Sequence, residues 1–202
     1  MSPSGVFTVK GRLILASASP RRRRFLDELG LAFDIGIPAI DESPIKGELP
    51  EDFVQRMSRE KALCLAATNP ESWVLGADTI VVHDKEILGK PEGADQAVSM
   101  LQRLSGSGHD VWTGFCLCRG KTESLICQAV CTKVQFIAAA DDIIRSYVKT
   151  GEPLDKAGAY GIQGLGGFLV KKIVGSYSNV VGLPMAEVVS EMLSHGVIEP
   201  KT

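Results

Sequence analysis

The sequence predicts a mixed α/β fold, in which helices pack on a sheet of parallel and antiparallel strands. Strand-like and helix-like segments alternate along the chain, as they do in layered α/β proteins. In the middle of the chain, strand-like segments outnumber those of a pure βαβ pattern, which indicates antiparallel neighbours. No internal repeat and no linker rich in Pro, Gly or Ser divides the chain. We therefore expect residues 11–198 to form a single domain and residues 1–10 to be disordered.

Caps and hydrophobic periodicity predict the individual elements. A buried strand over residues 12–16 leads to a helix over residues 20–29. This helix has Ser19 as its N-cap, Pro20 at its first position and Gly30 just beyond its end. The next elements are a strand over 33–37, a helix over 51–67, strand pieces over 73–75 and 79–82, and a hairpin turn at Asp84-Lys85. The second half comprises a helix over 94–104, strands over 111–118 and 125–136, a helix over 141–148, a glycine-dense stretch over 151–167, a strand over 168–174 and a helix over 184–194.

Composition narrows the class of protein. The chain has 202 residues, of which 45% are hydrophobic and 23% are charged, and its net charge is −2. This balance is that of an ordinary globular protein and argues against a dedicated nucleic-acid binder. The longest apolar runs are too short to span a bilayer, and the first ten residues have no signal-peptide pattern. We therefore expect a cytoplasmic protein with no stable nucleic-acid partner and no membrane association.

The cysteines leave two interpretations open. The chain has five of them, an odd number that favours reduced thiols. Cys116-x-Cys118 and Cys127-x3-Cys131 could be arranged as zinc ligands. All four fall in strand-like segments, however, where alternate residues share a face and small side chains are commonly buried. We favour buried thiols over a zinc site.

A phosphate-binding site is predicted where the first strand passes into the first helix. The loop Ser17-Ala18-Ser19 leads to a helix N-terminus, whose free N–H groups and partial positive charge attract anions. Arg21 and Arg22 add guanidinium groups that match phosphate oxygens. The run Arg21 to Arg24 puts four cations at a helix end that normally prefers acids, which indicates a compensating anion. The alternative is a basic surface patch in which Arg23 and Arg24 are solvated.

Three further charged residues are candidates for chemistry. Lys61 lies on or beside the apolar stripe of the long helix, so it must either snorkel or meet an anion. Asp78 stands between two apolar strand pieces, and a buried carboxylate is costly unless it is paired, hydrogen-bonded or bound to a metal. Thr79 follows it as a polar contact. The alternative for Asp78 is a turn aspartate that caps the backbone. Lys90 precedes a helix, where it can either meet a phosphate or be solvated.

The glycine-dense stretch is predicted to be a loop shaped around a ligand. Residues 151–164 combine four glycines with three charged residues, between a helix and a strand. The amide of Gln163 offers a donor and an acceptor, which can pair with the edge of a nucleobase. The alternative is a cluster of structural turns.

Together these segments resemble the Maf family of nucleoside triphosphate pyrophosphatases, over residues 13–193. The motifs, in order, are SASPRR (17–22), REKA (59–62), GADT (76–79), GKP (89–91), LSG (104–106), GEPLDKAGAYGIQG (151–164) and NVVGLP (179–184). One such motif alone would be a weak signal, whereas the ordered set is specific. The resemblance implies a fold like that of inosine triphosphate pyrophosphatase, with two lobes around a deep nucleotide cleft.

The resemblance also implies a role for each motif residue. Asp78 is the implied proton acceptor, with Lys61 and Lys90 as catalytic lysines. Glu42 resembles a further cleft carboxylate, which with Asp78 would hold a divalent metal. The implied substrate-binding and specificity residues are Ser17, Arg21, Arg22, Thr79, Asp155, Lys156 and Gln163. The run DKAGAYGIQG resembles the subgroup that acts on dTTP and UTP.

The implied reaction is hydrolysis of a nucleoside triphosphate to the monophosphate and diphosphate, with Mg²⁺ or Mn²⁺ sharing the triphosphate charge. The sequence does not decide whether Asp78 acts as a base or as a metal ligand. A second interpretation is a nucleotide-sensing regulator of septation with little turnover. A third, RNA binding by the arginine run, lacks the interleaved aromatic residues of such sites. The oligomeric state is left open, and a homodimer is one of the options.

Overall fold

The computed structural model describes residues 5–120 and 124–201, and within them strands alternate with helices as predicted. The strands are Phe7–Val9 (β1), Leu13–Ala16 (β2), Asp34–Gly36 (β3), Trp73–His83 (β4), Glu86–Leu88 (β5), Gly108–Arg119 (β6), Ser124–Phe136 (β7), Val170–Val174 (β8) and Ile198–Pro200 (β9). The α-helices are Pro20–Glu28 (α1), Pro50–Ala66 (α2), Ala94–Leu104 (α3), Asp141–Lys149 (α4), Tyr177–Val181 (α5) and Met185–Ser194 (α6). The short 3₁₀ helices Glu152–Asp155, Ala157–Ala159 and Leu165–Leu169 occupy the glycine-dense stretch.

The main sheet is mixed, which confirms the predicted fold class. Its strands are ordered β3-β2-β4-β6-β7-β8, and β5 pairs with β4. β2 runs parallel to both β3 and β4, whereas the β4–β5 and β7–β8 pairs are antiparallel. A separate two-stranded antiparallel sheet joins β1 to β9.

The first ten residues differ from the disordered segment that we expected. Residues 7–9 form β1, in which Thr8 lies opposite Glu199 of β9. The N–H group of Lys10 donates to the carbonyl oxygen of Val197 at 2.8 Å, and its amino group pairs with Glu199 at 2.6 Å. The expectation was wrong for these residues because their partner strand lies at the other end of the sequence. Residues 1–4 lie outside the described residues.

The strand that carries Asp78 is longer than predicted. The two expected pieces form one continuous strand, β4, so Asp78 is a strand residue and not a turn residue. Gly76 is needed there because an added Cβ atom would lie 2.3 Å from the carbonyl oxygen of Ser58 on α2. At Gly114 on β6, an added Cβ would lie 2.2 Å from the carbonyl oxygen of Val54. The two glycines therefore let the main chain of α2 contact the main chains of β4 and β6.

The contacts divide the chain into two compact units, each with its own buried core. The first unit comprises Met1–Asp78, Thr113–Val130 and Gly182–Thr202, and the second comprises Thr79–Trp112 and Cys131–Val181. Leu15, Leu75 and Phe115 are among the core residues of the first unit. Val81, Leu101 and Phe136 are among those of the second. The described part of the segment 11–198 thus folds around more than one hydrophobic core.

Two of the four strand cysteines are buried, as strand alternation predicts, whereas Cys127 and Cys131 are half-buried. Cys116 and Cys118 are buried in one cluster with Ala62 of α2, and Cys127 packs against the same cluster. All five cysteines are free thiols. Of the helices in the described ranges, none combines the length and the apolar character that a membrane crossing requires.

Candidate active site

Three of the predicted charged residues meet within the first unit. Lys61 is only 8% exposed, and its Nζ lies 2.6 Å from Oδ1 of Asp78 and 2.9 Å from Oε1 of Glu42. The side chain of Asp78 is 14% exposed and that of Glu42 is 60% exposed. Lys61 therefore meets two anions and does not snorkel. Asp78 is the paired carboxylate that a largely buried strand position requires.

Close packing of α2 sets the spacing between Lys61 and Asp78. Lys61 lies on the buried face of α2, between Ser58 and Ala62. These two residues are the ones that an added Cβ at Gly76 would contact, at 2.3 Å from the Ser58 carbonyl oxygen and 2.8 Å from the Ala62 nitrogen. Gly76 precedes Asp78 by two positions on β4. The glycine therefore allows the lysine and the carboxylate to come within hydrogen-bonding distance.

Arg56, which the sequence reasoning missed, anchors the loop that carries Glu42. Its Nε and Nη2 donate to the two carboxylate oxygens of Glu48 at 2.6 and 2.7 Å, and Nη2 also donates to the carbonyl oxygen of Ser43 at 3.2 Å. The hydrogen bond with Glu48 raises the pKa of Arg56 above its usual range, and the same bond lowers the pKa of Glu48. Such a bidentate pair fixes both side chains. The only sequence signal was a cation on the same helix as Lys61.

The predicted phosphate loop is held by contacts from within the protein. The Ser17 hydroxyl accepts hydrogen bonds from the N–H of Ser19 at 3.2 Å and from Nη1 of Arg22 at 3.1 Å. Nε of Arg22 donates to the carbonyl oxygen of Gly182 at 2.8 Å. Burial lowers the pKa of Arg22, while the negative charge of Asp78 acts in the opposite direction. Arg22 is therefore a buried, fixed cation whose charge acts on the candidate base.

The four arginines at the start of α1 differ in their exposure to solvent. Arg21 is half-buried and Arg22 is buried, whereas Arg23 and Arg24 are exposed. The exposed pair forms ion pairs one turn further along α1, Arg23 with Asp27 at 3.3 Å and Arg24 with Glu28 at 2.7 Å. No acidic residue occupies the first turn. Arg21 and Arg22 thus remain the cations at the N-terminal end, next to the cap formed by Ser19.

The remaining predicted site residues belong to the second unit. Thr79 continues β4 and is half-buried, and Lys90 is exposed after β5. Nζ of Lys156 donates to Oδ1 of Asp155 and to the carbonyl oxygen of Glu152, both at 2.5 Å. The structure therefore brings Asp155 and Lys156 together as an ion pair, with the lysine amino group engaged by the protein.

Gln163 lies in the loop between two 3₁₀ helices and is half-buried. His109 and Tyr160 form a buried pair that we did not predict, and Tyr160 precedes Gln163 by three positions. The His109 Nε2 and the Tyr160 hydroxyl are 2.8 Å apart. Burial, and to a smaller extent the charge of His83, lowers the pKa of His109 to about 4, so the imidazole is neutral at neutral pH. No local sequence signal links these two residues.

The two carboxylates that we predicted as metal ligands offer oxygen donors, which suit Mg²⁺. Asp78 and Glu42 contribute oxygen ligands, and their contact with Lys61 brings both to one point. Mg²⁺ is commonly bound by one or two carboxylates, with phosphate oxygens and water completing its shell. No group of three or more His, Cys, Asp or Glu side chains gathers in residues 5–120 and 124–201. The donor set therefore fits an ion whose remaining ligands come from outside the protein, and not an all-protein cage.

These features define an α/β protein with a largely buried lysine–aspartate pair and two arginines at the start of its first α-helix. Residues 12–195 match the family model described as Maf-like protein. The chain therefore belongs to the Maf family, as its ordered motifs predict.

Curated proteins named dTTP/UTP pyrophosphatase are similar to this chain over nearly its whole length. The protein of Desulfotalea psychrophila is 52% identical over 186 residues, which cover 92% of this chain and 95% of that protein. The protein of Geobacter sulfurreducens is 49% identical, with coverage of 94% and 99%. The protein of Myxococcus xanthus is 50% identical, with coverage of 93% and 94%.

Proposed function

We propose that this protein is a hydrolase acting on acid anhydrides, which converts dTTP and UTP to the nucleoside monophosphate and diphosphate. The observation that carries the proposal is the buried Lys61–Asp78 pair, in a chain about half identical to proteins named dTTP/UTP pyrophosphatase. Arg21 and Arg22, at the start of α1, supply positive charge for a triphosphate, and a hydrogen bond to the Ser17 hydroxyl holds Arg22 in place.

In the proposed reaction, water cleaves the bond between the α- and β-phosphates, and Asp78 accepts a proton from that water. Lys61 fixes the Asp78 carboxylate in place through the 2.6 Å contact. Ser19 caps the N–H of Arg22, so the partial positive charge at the start of α1, together with the guanidinium groups of Arg21 and Arg22, attracts the phosphate oxygens and stabilises the charge that develops on them. Lys90 is the further predicted catalytic cation.

A divalent cation, Mg²⁺ or Mn²⁺, would neutralise phosphate charge when bound. Asp78 and Glu42 would hold it, sharing their oxygens with the amino group of Lys61. Arg56 supports this arrangement because it fixes the loop on which Glu42 lies.

The base is read, in this proposal, by the amide of Gln163, which offers a donor and an acceptor to the C=O and N–H groups of uracil or thymine. Arg21 and Thr79 are the other specificity positions implied by the family motifs. Asp155 and Lys156 stay predicted substrate-binding residues, and their mutual ion pair also supports the loop from within. The nucleotide cleft, the cytoplasmic location and a homodimer likewise stay predictions.

The test is product analysis with a panel of nucleoside triphosphates in the presence of Mg²⁺ or Mn²⁺. Anion-exchange chromatography separates the monophosphate and diphosphate that we expect from a nucleoside diphosphate and orthophosphate. Release of orthophosphate would show that a different bond is cut. Tight UTP binding without turnover would instead support a nucleotide-sensing regulator of septation, which the intact Lys61–Asp78 pair does not favour.

A further inference from the structure

One carboxylate, that of Glu152, organises the glycine-rich loop of the second unit. Its Oε1 accepts hydrogen bonds from the Tyr147 hydroxyl and from the N–H of Gly166, each at 2.9 Å. Its Oε2 accepts a hydrogen bond from the N–H of Leu165, also at 2.9 Å. Two consecutive backbone donors and one phenol therefore converge on a single side chain.

Tyr147 extends this anchor to the other side of Gln163. Its hydroxyl oxygen accepts a hydrogen bond from the N–H of Gly161 at 3.2 Å while donating to Glu152. The Tyr147–Glu152 pair thus contacts the main chain at Gly161, two positions before Gln163, and again at Leu165, two positions after it. The short segment that presents the glutamine amide is held at both ends by the same pair of side chains.

The glycines of the loop are fitted to this pair. At Gly164, φ is +107°, and an added Cβ would lie 2.8 Å from Oε2 of Glu152. At Gly166, an added Cβ would lie 2.3 Å from the Tyr147 hydroxyl oxygen. Side chains larger than hydrogen would push the loop away from the carboxylate, so the glycine content of this segment has a local cause.

The carboxylate is also kept charged. Partial burial acts to raise the pKa of Glu152, but the N–H groups of Gly166 and Leu165, the Tyr147 hydroxyl and the charge of Lys156 outweigh it, and the pKa lies below its usual value. Hydrogen bonds to an ionised acceptor are roughly twice as strong as neutral ones. The loop is therefore tied to a fixed negative charge across the neutral pH range.

We propose that Glu152 is a positioning residue for base recognition, which acts by holding Gln163 in place and does not itself touch the nucleotide. The proposal rests on the proposed function, because it takes Gln163 as the residue that reads the base. It goes beyond that function because it makes the discrimination between pyrimidine and purine nucleotides depend on Glu152 as well as on Gln163.

The test is the binding preference of Glu152→Gln, which keeps the size of the side chain but replaces one acceptor oxygen with an NH₂ group that faces a donor. Dissociation constants are measured for non-hydrolysable α,β-imido analogues of UTP and GTP. We expect the preference for the UTP analogue to fall roughly 10-fold, the size of one lost charge-assisted hydrogen bond. Tyr147→Phe should reduce the preference as well, because it removes the hydroxyl that joins Glu152 to the N–H of Gly161.

A double-mutant comparison separates positioning from a general structural role. If Glu152 acts through Gln163, adding Glu152→Gln to Gln163→Ala should leave the preference ratio at the value of the single Gln163 variant. Glu86→Gln is the matched control, since Glu86 is an exposed glutamate of the same unit paired with Arg103. It should behave as the wild-type protein does. Circular dichroism and thermal melting verify that each variant is folded.

Three results would overturn the proposal: an unchanged preference in folded Glu152→Gln, effects of the two substitutions that simply add, or an equal loss in Glu86→Gln. The binding readout needs no turnover, so a wild-type protein that binds the UTP analogue but cleaves no UTP contradicts only the proposed function. A wild-type protein that binds neither analogue would overturn both.

Discussion

The amino group of Lys61 lies 2.6 Å from Oδ1 of Asp78 and 2.9 Å from Oε1 of a second carboxylate, Glu42. The lysine is buried, the aspartate is largely buried, and the glutamate is exposed. Removing either carboxylate therefore leaves the ammonium group with a partner, whereas removing the lysine leaves two like charges close together. The consequences of substitutions at these positions are asymmetric.

For Asp78→Asn, we expect the turnover of UTP to fall roughly 10²-fold or more, which is the range for loss of a general base. The variant should still fold, because Lys61 retains the contact with Glu42. The measurements are steady-state kinetics and a thermal melt followed by circular dichroism. Near-wild-type turnover in the purified, folded variant would exclude Asp78 from the chemistry.

For the cations, Lys61→Ala should reduce activity far more than Arg24→Ala. Arg24 is exposed and pairs with Glu28 one turn along α1, and such helical pairs contribute about 0.3–0.5 kcal/mol. Lys61 is the buried partner of Asp78, so its loss removes both a positive charge and the contact that holds the carboxylate. Initial rates with UTP measure the difference. Small and equal losses in both variants would mean that Lys61 has only a packing role.

Gln163→Ala should weaken the preference for dTTP and UTP over GTP without abolishing turnover. The alanine removes the donor and acceptor that we propose read the base, whereas Asp78 and Lys61 are unchanged. Discrimination that depends on an unpaired buried polar group can reach about 10⁴-fold, so even a partial contribution from Gln163 is measurable. The quantity to compare is the ratio of kcat/KM for UTP and GTP in the wild type and the variant. A ratio that does not change would place base reading elsewhere.

The buried imidazole of His109 should make the protein less stable in mild acid. Its pKa is about 4 in the folded protein, against an ordinary value of 6.5. The unfolded state therefore binds the proton more readily, and the free energy of unfolding falls as the pH drops from about 6.5 to about 4. The full loss is about 3 kcal/mol, at about 1.36 kcal/mol for each pH unit between the two pKa values.

Urea unfolding of the wild type and of His109→Asn at pH 7 and pH 4.5 measures this contribution. The variant should start from a lower stability, because the contact with Tyr160 is lost, but should lose less on acidification. His195→Asn, which replaces an exposed histidine, is the control and should keep most of the wild-type dependence. Equal pH dependence in the wild type and His109→Asn would contradict the assignment.

Local signals predicted five of the six α-helices in the described ranges, because the determinants of these five lie within the elements themselves, whereas the short helix α5 was not predicted. The cap at Ser19 and the glycine at position 30 bound α1, and hydrophobic spacing followed by Gly106 predicts residues 94–104, which are the bounds of α3. Gly76 was misinterpreted as part of a break between strands. A glycine that opens a turn and a glycine that permits close packing look the same in a sequence, and only the position of α2 distinguishes them.

The candidate site shows the same division between local and distant causes. Motifs with charged residues in unusual places were enough to single out Lys61 and Asp78, since a buried charge requires a partner whatever the fold. The supporting residues were not predictable in this way. Arg56 and His109 are recognised only through their partners, and the partner of His109 lies 51 positions further along the chain.

The contact of α2 with Gly76 and Gly114 has a consequence for how freely this helix can vary. Main-chain atoms have no rotamers, so an approach that is made mostly by main-chain atoms leaves little freedom in the gap between the helix and the two strands. Residues on the outer face of α2 can therefore be exchanged to change surface charge or solubility while the separation of Lys61 and Asp78 is preserved. A single methyl group added at either glycine, by contrast, would force α2 or the strand beside it to shift. Variation in α2 is therefore expected to be tolerated on its outer face and not at the two glycines that it contacts.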